Sequence, residues 1–224
     1  MSYKLDWAPI WNNRDLIIEG FITTVELSAL GLVLALAIGV IVGTAGSTSS
    51  RMLRSGSATY VELMRNIPLL VHMYIWYVAL AFLQLPPFMC AVFGLALYSG
   101  AYVAEIVRSG IGAVPQGQHL VALATGLTST QALLLVVYPQ ALRMVTPSLA
   151  SICSQLIKDS SLASVITVAE LTYQASAIEG QTFRTFEIYL TISLLYLLLV
   201  TIVTYGLLLV PGARDDLEQK VSDA

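Results

Sequence analysis

Long apolar stretches separated by short polar connections dominate the sequence. They cover residues 16–43, 69–102, 131–157 and 188–210. A membrane-spanning helix needs about 20 mostly apolar residues, so each stretch is long enough to cross a bilayer. The second stretch is too long for one helix, and Pro86-Pro87 interrupts it. The pattern therefore predicts an all-α integral membrane protein with five transmembrane helices.

The composition is that of a chain whose main solvent is membrane lipid. Hydrophobic residues make up 57% of the chain and charged residues 11%, against about 25% charged residues in soluble domains. The net charge of −3 and the lack of a basic patch argue against a nucleic-acid partner. Cys90 and Cys153 lie inside apolar stretches, and two isolated cysteines predict neither a metal site nor a disulfide framework.

The positively charged residues predict the orientation. With five spans and the N-terminus outside, seven of the eleven Lys and Arg residues lie on the cytoplasmic side, where such residues accumulate. This N-out, C-in arrangement divides the chain into an extracytoplasmic segment (1–15), a transmembrane domain (16–212) and a cytoplasmic tail (213–224). Residues 109–130 form a cytoplasmic loop, and the outer connection 158–187 is long enough to hold a short helix.

The cytoplasmic loop has the pattern of a short amphipathic helix. Pro115 suits the first turn, and Gly126 can end the helix. Apolar residues recur between them and just beyond at helical spacing, namely Leu120, Leu123, Ala124 and Leu127. Such a face either docks into a groove on a partner or lies on the membrane surface, and the pattern favours neither.

The spacing after this helix resembles the signature loop of ABC importer permeases. That signature has the form E-A-A, three residues, Gly, nine residues, then I-x-L-P. Here Gly126 is followed by nine residues and then by a tetrapeptide ending at Pro139. Ala122 stands at the second Ala of the signature, whereas Leu120 stands where the family has Glu.

Further motifs resemble permeases for polar amino acids, in the histidine, glutamate, glutamine and arginine branch. Residues 65–70 read RNIPLL and resemble R-x-x-P-L-L, and residues 102–111 resemble Y-x-x-E-I-x-R-x-G-I. Residues 158–162 read KDSSL and resemble K-D-(S/T)-S-L. With the signature loop, the resemblance covers roughly residues 16–210.

The resemblance implies the fold of a type I ABC importer permease in the bacterial cytoplasmic (inner) membrane. Such a permease forms half of a pore with a second permease, which is either a copy of itself or a sister subunit. Two separate ATP-binding subunits hold ATP and Mg²⁺, and an extracytoplasmic substrate-binding protein delivers the substrate. This chain has no G-x-x-x-x-G-K-(S/T) motif, so we expect no ATP hydrolysis, no catalytic residues and no cofactor in it.

The resemblance also assigns the loop helix to coupling with the ATPase. The coupling residues that it implies are Gln118, His119, Leu120, Ala122, Leu123 and Gly126. The family Glu helps to fix this helix on the ATPase, and Leu120 cannot replace it. Either Gln118 or His119 substitutes, or the apolar face makes the contact alone, or a sister permease carries the standard loop.

Charged residues at membrane depth are candidate functional groups because each costs at least about 2.5–3.5 kcal/mol to insert. Glu62 and Arg65 are three residues apart, as are Glu105 and Arg108. Both spacings predict ion pairs on one face of a helix. These pairs are either structural contacts at the cytoplasmic interface or parts of a gate.

The KDSSL segment is the predicted substrate site. Asp159 could bind the ammonium of an amino acid, while Ser160, Ser161 or backbone amides bind its carboxylate. Gln155, one turn earlier, could bind the side chain. The alternative is that this segment is only a turn at the outer membrane interface.

The function that we predict is inward transport of a polar amino acid by alternating access. One competing interpretation is a stand-alone secondary transporter or channel that uses Glu26, Glu105 and Asp159 for ion coupling. Five helices without a visible inverted repeat argue against it. A second is a membrane scaffold or receptor domain, which would not explain the charges within the membrane.

Overall fold

The computed structural model describes residues 4–208, which form ten α-helices and no strand. The helices are α1 (Ala8–Asn12), α2 (Arg14–Gly46), α3 (Arg51–Asn66), α4 (Leu69–Ala79), α5 (Pro87–Ala113), α6 (Gln116–Ala124), α7 (Ser129–Ala132), α8 (Tyr138–Asp159), α9 (Leu171–Thr182) and α10 (Thr185–Leu208). Two 3₁₀ turns (Ala81–Leu83 and Ser160–Ile166) and one π-helical turn (Leu133–Val137) complete the helical chain. The predicted cytoplasmic tail, residues 213–224, lies outside the described residues.

Four helical segments of the described chain are long and apolar enough to cross a membrane. They are Arg14–Gly46, Pro87–Ala113, Ser129–Ile166 and Thr185–Gly206. The apolar helix α4 has only 11 residues, which is shorter than the hydrocarbon core of a bilayer requires. The all-α membrane fold is confirmed, whereas the count of five spans and the N-out, C-in orientation stay predictions.

The break predicted at Pro86-Pro87 is confirmed. Helix α4 ends at Ala79, Gln84 adopts a left-handed conformation (φ 52°), and α5 begins at Pro87. The connection 158–187 contains α9, as its length suggested. The structure also shows α3 as a separate amphipathic helix, which the search for apolar stretches did not predict.

The described chain divides into two compact units. Within the described residues, unit 1 comprises 4–33, Ile67–Ala96 and Ser154–Ile202, and unit 2 comprises Leu34–Asn66, Leu97–Cys153 and 203–208. The core of unit 1 is formed by Ile17, Leu171, Ala175, Ile178, Ile188 and Ile192. These side chains come from the first half of α2, from α9 and from α10, so α9 is an integral part of the unit rather than a loose loop.

In unit 2, the second half of α2 packs closely against α5 through glycines. A Cβ atom at Gly39 would lie 2.3 Å from Val103 Cγ1, and one at Gly43 would lie 2.5 Å from the carbonyl oxygen of Ala104. The spacing Gly39-x-x-x-Gly43 is the small-residue pattern by which membrane helices approach each other. This contact holds the end of α2 against the segment of α5 that carries Glu105.

The helix around Pro139 is widened into a π-helical turn over Leu133–Val137. Proline has no N–H to donate to the preceding turn, so carbonyl groups there need other donors. The side-chain amide of Gln140 donates to the carbonyl oxygen of Val136 at 2.8 Å. Gln140 thus supplies a hydrogen bond within the turn that Pro139 disturbs.

Candidate functional site

The predicted loop helix is present as α6 and has defined ends. Pro115 precedes its first residue, and Gly126 follows its end with φ +91°. The N–H of Gly126 bonds to the carbonyl of Leu123 at 3.0 Å, and that of Leu127 bonds to the carbonyl of Ala122 at 3.3 Å. This pair of hydrogen bonds is a Schellman motif, which satisfies the last carbonyls of the helix and requires a left-handed residue at Gly126.

Only a narrow face of α6 is covered within the described chain. Ala122 is buried, and α6 contacts the π-helical turn within unit 2. In contrast, Leu120 and Val121 are 63% and 64% exposed, and Leu123 is also exposed. Of the predicted apolar face, Leu120, Leu123 and Ala124 are exposed and Leu127 is half-buried. Ala122 points away from this face.

The remaining coupling candidates lie beside this surface. Gln118 and Gly126 are exposed, and His119 is half-buried. After them, Thr128 and Gln131 form a capping box in which Gln131 Oε1 accepts from the Thr128 N–H at 2.9 Å. The sequence Thr-x-x-Gln is a known helix-start signal, and it places the next helix at Ser129, two residues before the predicted start of the third apolar stretch.

The two predicted charge pairs differ. Arg108 and Glu105 form a bidentate pair, with Nη2 to Oε1 at 2.5 Å and Nε to Oε2 at 3.1 Å. Glu62 and Arg65 form no ion pair in the described part of the chain. Instead the guanidinium of Arg65 lies over the ring of Tyr102, 5.0 Å from its centroid. A cation–π contact thus replaces the ion pair that the three-residue spacing predicted.

The KDSSL segment is largely engaged in internal hydrogen bonds. Gln155 Nε2 donates to Asp159 Oδ1 at 2.8 Å, and Asp159 is half-buried. Ser160 is fully buried, and its hydroxyl donates to the carbonyl of Ile157 at 2.7 Å. Ser161 donates to the carbonyl of Lys158 at 2.7 Å. These hydroxyls satisfy the last carbonyls of α8, as short polar side chains do at helix ends.

This geometry corrects one part of the predicted substrate site. Ser160 has no exposed surface in the described structure, so its side chain is not available to a carboxylate. Asp159 and Gln155 remain together and accessible, and Ser161 is half-buried. The candidate substrate residues are therefore Gln155, Asp159 and Ser161.

Two carboxylates that the sequence did not single out are fully buried in unit 1. Glu170 precedes α9 and accepts hydrogen bonds from the N–H groups of Thr172 at 2.9 Å and Tyr173 at 2.8 Å, and from the hydroxyl of Tyr196 at 2.7 Å. Burial raises the pKa of Glu170, and these hydrogen bonds partly oppose the rise. Glutamate is not among the favoured helix-capping residues, so the sequence signal was weak.

The second buried carboxylate, Glu187, ties the N-terminal segment to the start of α10. Its Oε1 accepts from the N–H of Asp6 at 2.8 Å and lies 3.8 Å from Arg184 Nη1. Arg184 also donates to the carbonyl of Lys4 at 2.9 Å. The segment before α1 is thus fixed at the same end of unit 1 as the beginning of α10.

Taken together, these features define an all-helical membrane protein with a short, separately capped helix between two apolar helices. The sequence matches the family described as the inner membrane component of binding-protein-dependent transport systems over residues 21–211. The chain belongs to this family. It is therefore a membrane transport component rather than an enzyme, and its location is the inner membrane.

Individual relatives agree with this assignment. The chain is 35% identical over 206 residues to the glutamine transport system permease protein GlnP of Escherichia coli, covering 90% of this chain and 94% of that one. It is 33% identical over 199 residues to a probable glutamine ABC transporter permease protein, GlnM, of Bacillus subtilis, covering 88% and 92% of the two chains. The solved structure of an amino acid ABC transporter with histidines superposes with a TM-score of 0.83 at 32% identity, covering 95% of this chain and all of that one.

Proposed function

We propose that this chain is the permease subunit of an ABC importer that carries a polar amino acid into the cell. The observation that carries the proposal is the uncovered face of α6, with Leu120, Val121 and Leu123 exposed on a helix that starts after Pro115 and is fixed at its C-terminal end. Relatives of this chain are named as glutamine permeases, which supports a polar amino acid as substrate.

In the proposed assembly the energy comes from other subunits. Two ATP-binding subunits hold ATP and Mg²⁺, and a second permease completes the pore. An extracytoplasmic binding protein supplies the substrate. Because Leu120, Val121 and Leu123 are aliphatic, their contact with the ATPase rests on burial of apolar surface rather than on a carboxylate at position 120. The apolar surface thus replaces the Glu of the signature loop.

Site-directed cross-linking tests the docking of α6. The variant Leu120→Cys places a thiol at an exposed site, while the native Cys90 and Cys153 are buried and give little background. We expect cross-links from Leu120→Cys to the ATP-binding subunit in the assembled complex. Met52→Cys is the matched control, because Met52 is 86% exposed but lies on α3. A complex that hydrolyses ATP but gives no α6 cross-link would contradict the proposal.

Asp159 is the proposed anchor for the substrate ammonium. Gln155 lies beside it and orients the carboxylate of Asp159. The 2.8 Å bond between them holds the Asp159 side chain in place before substrate arrives. Replacing Asp159 with Asn removes the charge and keeps the shape. We expect Asp159→Asn to abolish uptake while the permease still assembles with its ATP-binding subunits.

Uptake assays with competing amino acids define the substrate. Proteoliposomes that contain the complex, the binding protein and internal ATP are supplied with one labelled amino acid and each of the twenty in excess. Competition confined to polar amino acids supports the proposal. Normal uptake by Asp159→Asn would remove Asp159 from the substrate site, and no uptake of any amino acid by the unmodified complex would refute the transport function itself.

A further inference from the structure

A cavity of about 330 Å³ lies in unit 2 and is lined by five ionisable side chains. Helix α3 contributes Arg54, Glu62 and Arg65, and α5 contributes Glu105 and Arg108. We refer to it as the α3–α5 cavity. Its volume is at the lower end of the range of small-molecule pockets, which is about 300–1,000 Å³. No residue of the KDSSL segment lines it.

The charges of the α3–α5 cavity are only partly compensated within the chain. Glu105 and Arg108 neutralise each other through their bidentate pair. Arg54, Arg65 and Glu62 form no ion pair among the described residues, although Arg65 also attracts the carboxylate of Glu105 at longer range. Two guanidinium groups and one carboxylate therefore remain for a ligand. All three side chains are exposed, so water solvates them until a ligand of complementary charge replaces it.

Arg65 is fixed without using its hydrogen-bond donors. Its guanidinium lies on the face of the Tyr102 ring at 5.0 Å from the centroid. A cation–π contact engages the flat face of a guanidinium, whereas its N–H donors lie in the plane of the group. Arg65 is thus oriented by Tyr102 while its donors stay free to bind a planar anion such as a carboxylate.

We infer that the α3–α5 cavity binds a free amino acid whose side chain bears a hydrogen-bond acceptor, with glutamate as the best match. One guanidinium binds the α-carboxylate, the other binds the side-chain carboxylate or amide oxygen, and Glu62 binds the ammonium. The excess of one positive charge in the lining matches the net negative charge of glutamate. The inference rests on the proposed function, since it gives the transported class of substrate a second site.

The same arrangement discriminates among amino acids. Glutamine and aspartate keep both an acceptor and an α-carboxylate. Glutamine lacks the side-chain charge and aspartate has a shorter side chain, so we expect both to bind more weakly than glutamate. Arginine and lysine bring a cationic side chain towards Arg54 or Arg65, and repulsion between like charges excludes them. The order of binding that we expect is glutamate first, then aspartate and glutamine, with basic amino acids last.

Equilibrium binding of radiolabelled L-glutamate to the assembled complex in nanodiscs, without the binding protein, tests this inference. All variants are made in the Asp159→Asn background, which silences the other proposed site. We expect Glu62→Gln and Arg65→Gln each to weaken binding roughly tenfold or more, because each removes a charge-assisted contact. Arg51→Gln is the matched control, because Arg51 is an exposed arginine of α3 that does not line this cavity. Its binding should stay within about twofold of the background.

Three results would overturn the assignment. These are unchanged glutamate binding in both Glu62→Gln and Arg65→Gln, displacement of glutamate by L-arginine as readily as by unlabelled glutamate, and displacement by inorganic phosphate to the same extent. Displacement by phosphate would show that the cavity binds small anions without selecting an amino acid. If Arg65→Gln fails to assemble, Glu62→Gln and the charge-conserving Arg65→Lys decide the question. Failure of the proposed function is read separately, from absent uptake in proteoliposomes of the unmodified complex.

Discussion

The hydroxyl of Tyr196 donates a 2.7 Å hydrogen bond to the fully buried carboxylate of Glu170. The same hydroxyl lies 3.1 Å from that of Thr172, the second residue of α9. Next to this group, the N–H of Leu171 donates to the hydroxyl of Thr24 at 3.1 Å. Side chains of α2 and α10 thus meet the first turn of α9 in one buried polar network, which fixes where α9 begins.

Breaking this network should lower the stability of unit 1, and the losses caused by changing two of its members should not add. We expect Glu170→Gln and Tyr196→Phe each to cost about 1–3 kcal/mol, because each leaves a buried polar partner unsatisfied. At about 2–4 °C per kcal/mol for a chain of this size, the midpoint of thermal unfolding falls by several degrees. The double variant should lose less than the sum of the two.

The control for this cycle is Tyr189→Phe, which removes a hydroxyl whose 3.3 Å contact with Ser176 is exposed. Combined with Glu170→Gln it should give additive losses. The measurement is a thermal unfolding curve of the purified complex in nanodiscs. Additivity in the Glu170 and Tyr196 cycle would show that their hydrogen bond contributes nothing to stability.

The raised pKa of Glu170 predicts a pH dependence of stability. A glutamate in an unfolded chain has a pKa of about 4.3, and burial raises the value in the folded protein. The folded state therefore binds this proton more tightly than the unfolded state does. The stability that protonation of Glu170 contributes is full below about pH 4 and is lost as the pH rises through the folded pKa. Glu170→Gln cannot titrate. We expect the unfolding midpoint of the unmodified protein to rise relative to that of Glu170→Gln as the pH falls from 7 to 5, and parallel pH profiles would contradict this.

The elements that the sequence predicts well are those whose signals are local. The apolar stretches locate α2 and α10 because about 20 apolar residues in succession have few structures other than a membrane helix. Pro115 and Gly126 locate α6 because each restricts or permits a particular backbone conformation. Helix α3 escaped prediction because its apolar and polar residues alternate at helical spacing without forming a continuous apolar run.

The candidate site was less predictable because its geometry depends on contacts between distant residues. A three-residue spacing allows both Glu62–Arg65 and Glu105–Arg108 to pair, and only the fold brings the Tyr102 ring under Arg65. The burial of Ser160 likewise depends on what packs around the end of α8. The close contact at Gly39-x-x-x-Gly43 was not predicted either, although small residues at this spacing are a known pattern of close approach between membrane helices.

This contact of α2 with α5 makes Gly39 intolerant of a side chain. In Gly39→Ala the new methyl group would lie 2.3 Å from Val103 Cγ1, so the helices must move apart. Overpacking of this kind costs about 1–3 kcal/mol. Gly112→Ala, at a position of α5 where a Cβ meets nothing within 4 Å, should instead be neutral or slightly stabilising. Thermal unfolding of the two variants checks this, and equal midpoints would contradict the packing argument.

The final prediction concerns the end of α6, where backbone conformation rather than space is limiting. A Cβ at Gly126 would meet no atom within 4 Å, but its φ of +91° is one that other residues rarely adopt. Gly126→Ala should cost about 1–2 kcal/mol locally and loosen the Schellman motif that fixes the exposed face. Gly117→Ala adds the same methyl group within α6, in open space and without a positive φ, and should strengthen the helix slightly.

If α6 transmits the force of ATP binding, Gly126→Ala lowers uptake more than it lowers the amount of assembled complex, whereas Gly117→Ala leaves uptake intact. Equal uptake per assembled complex in the two variants would show that the fixed end of α6 is not required for transport.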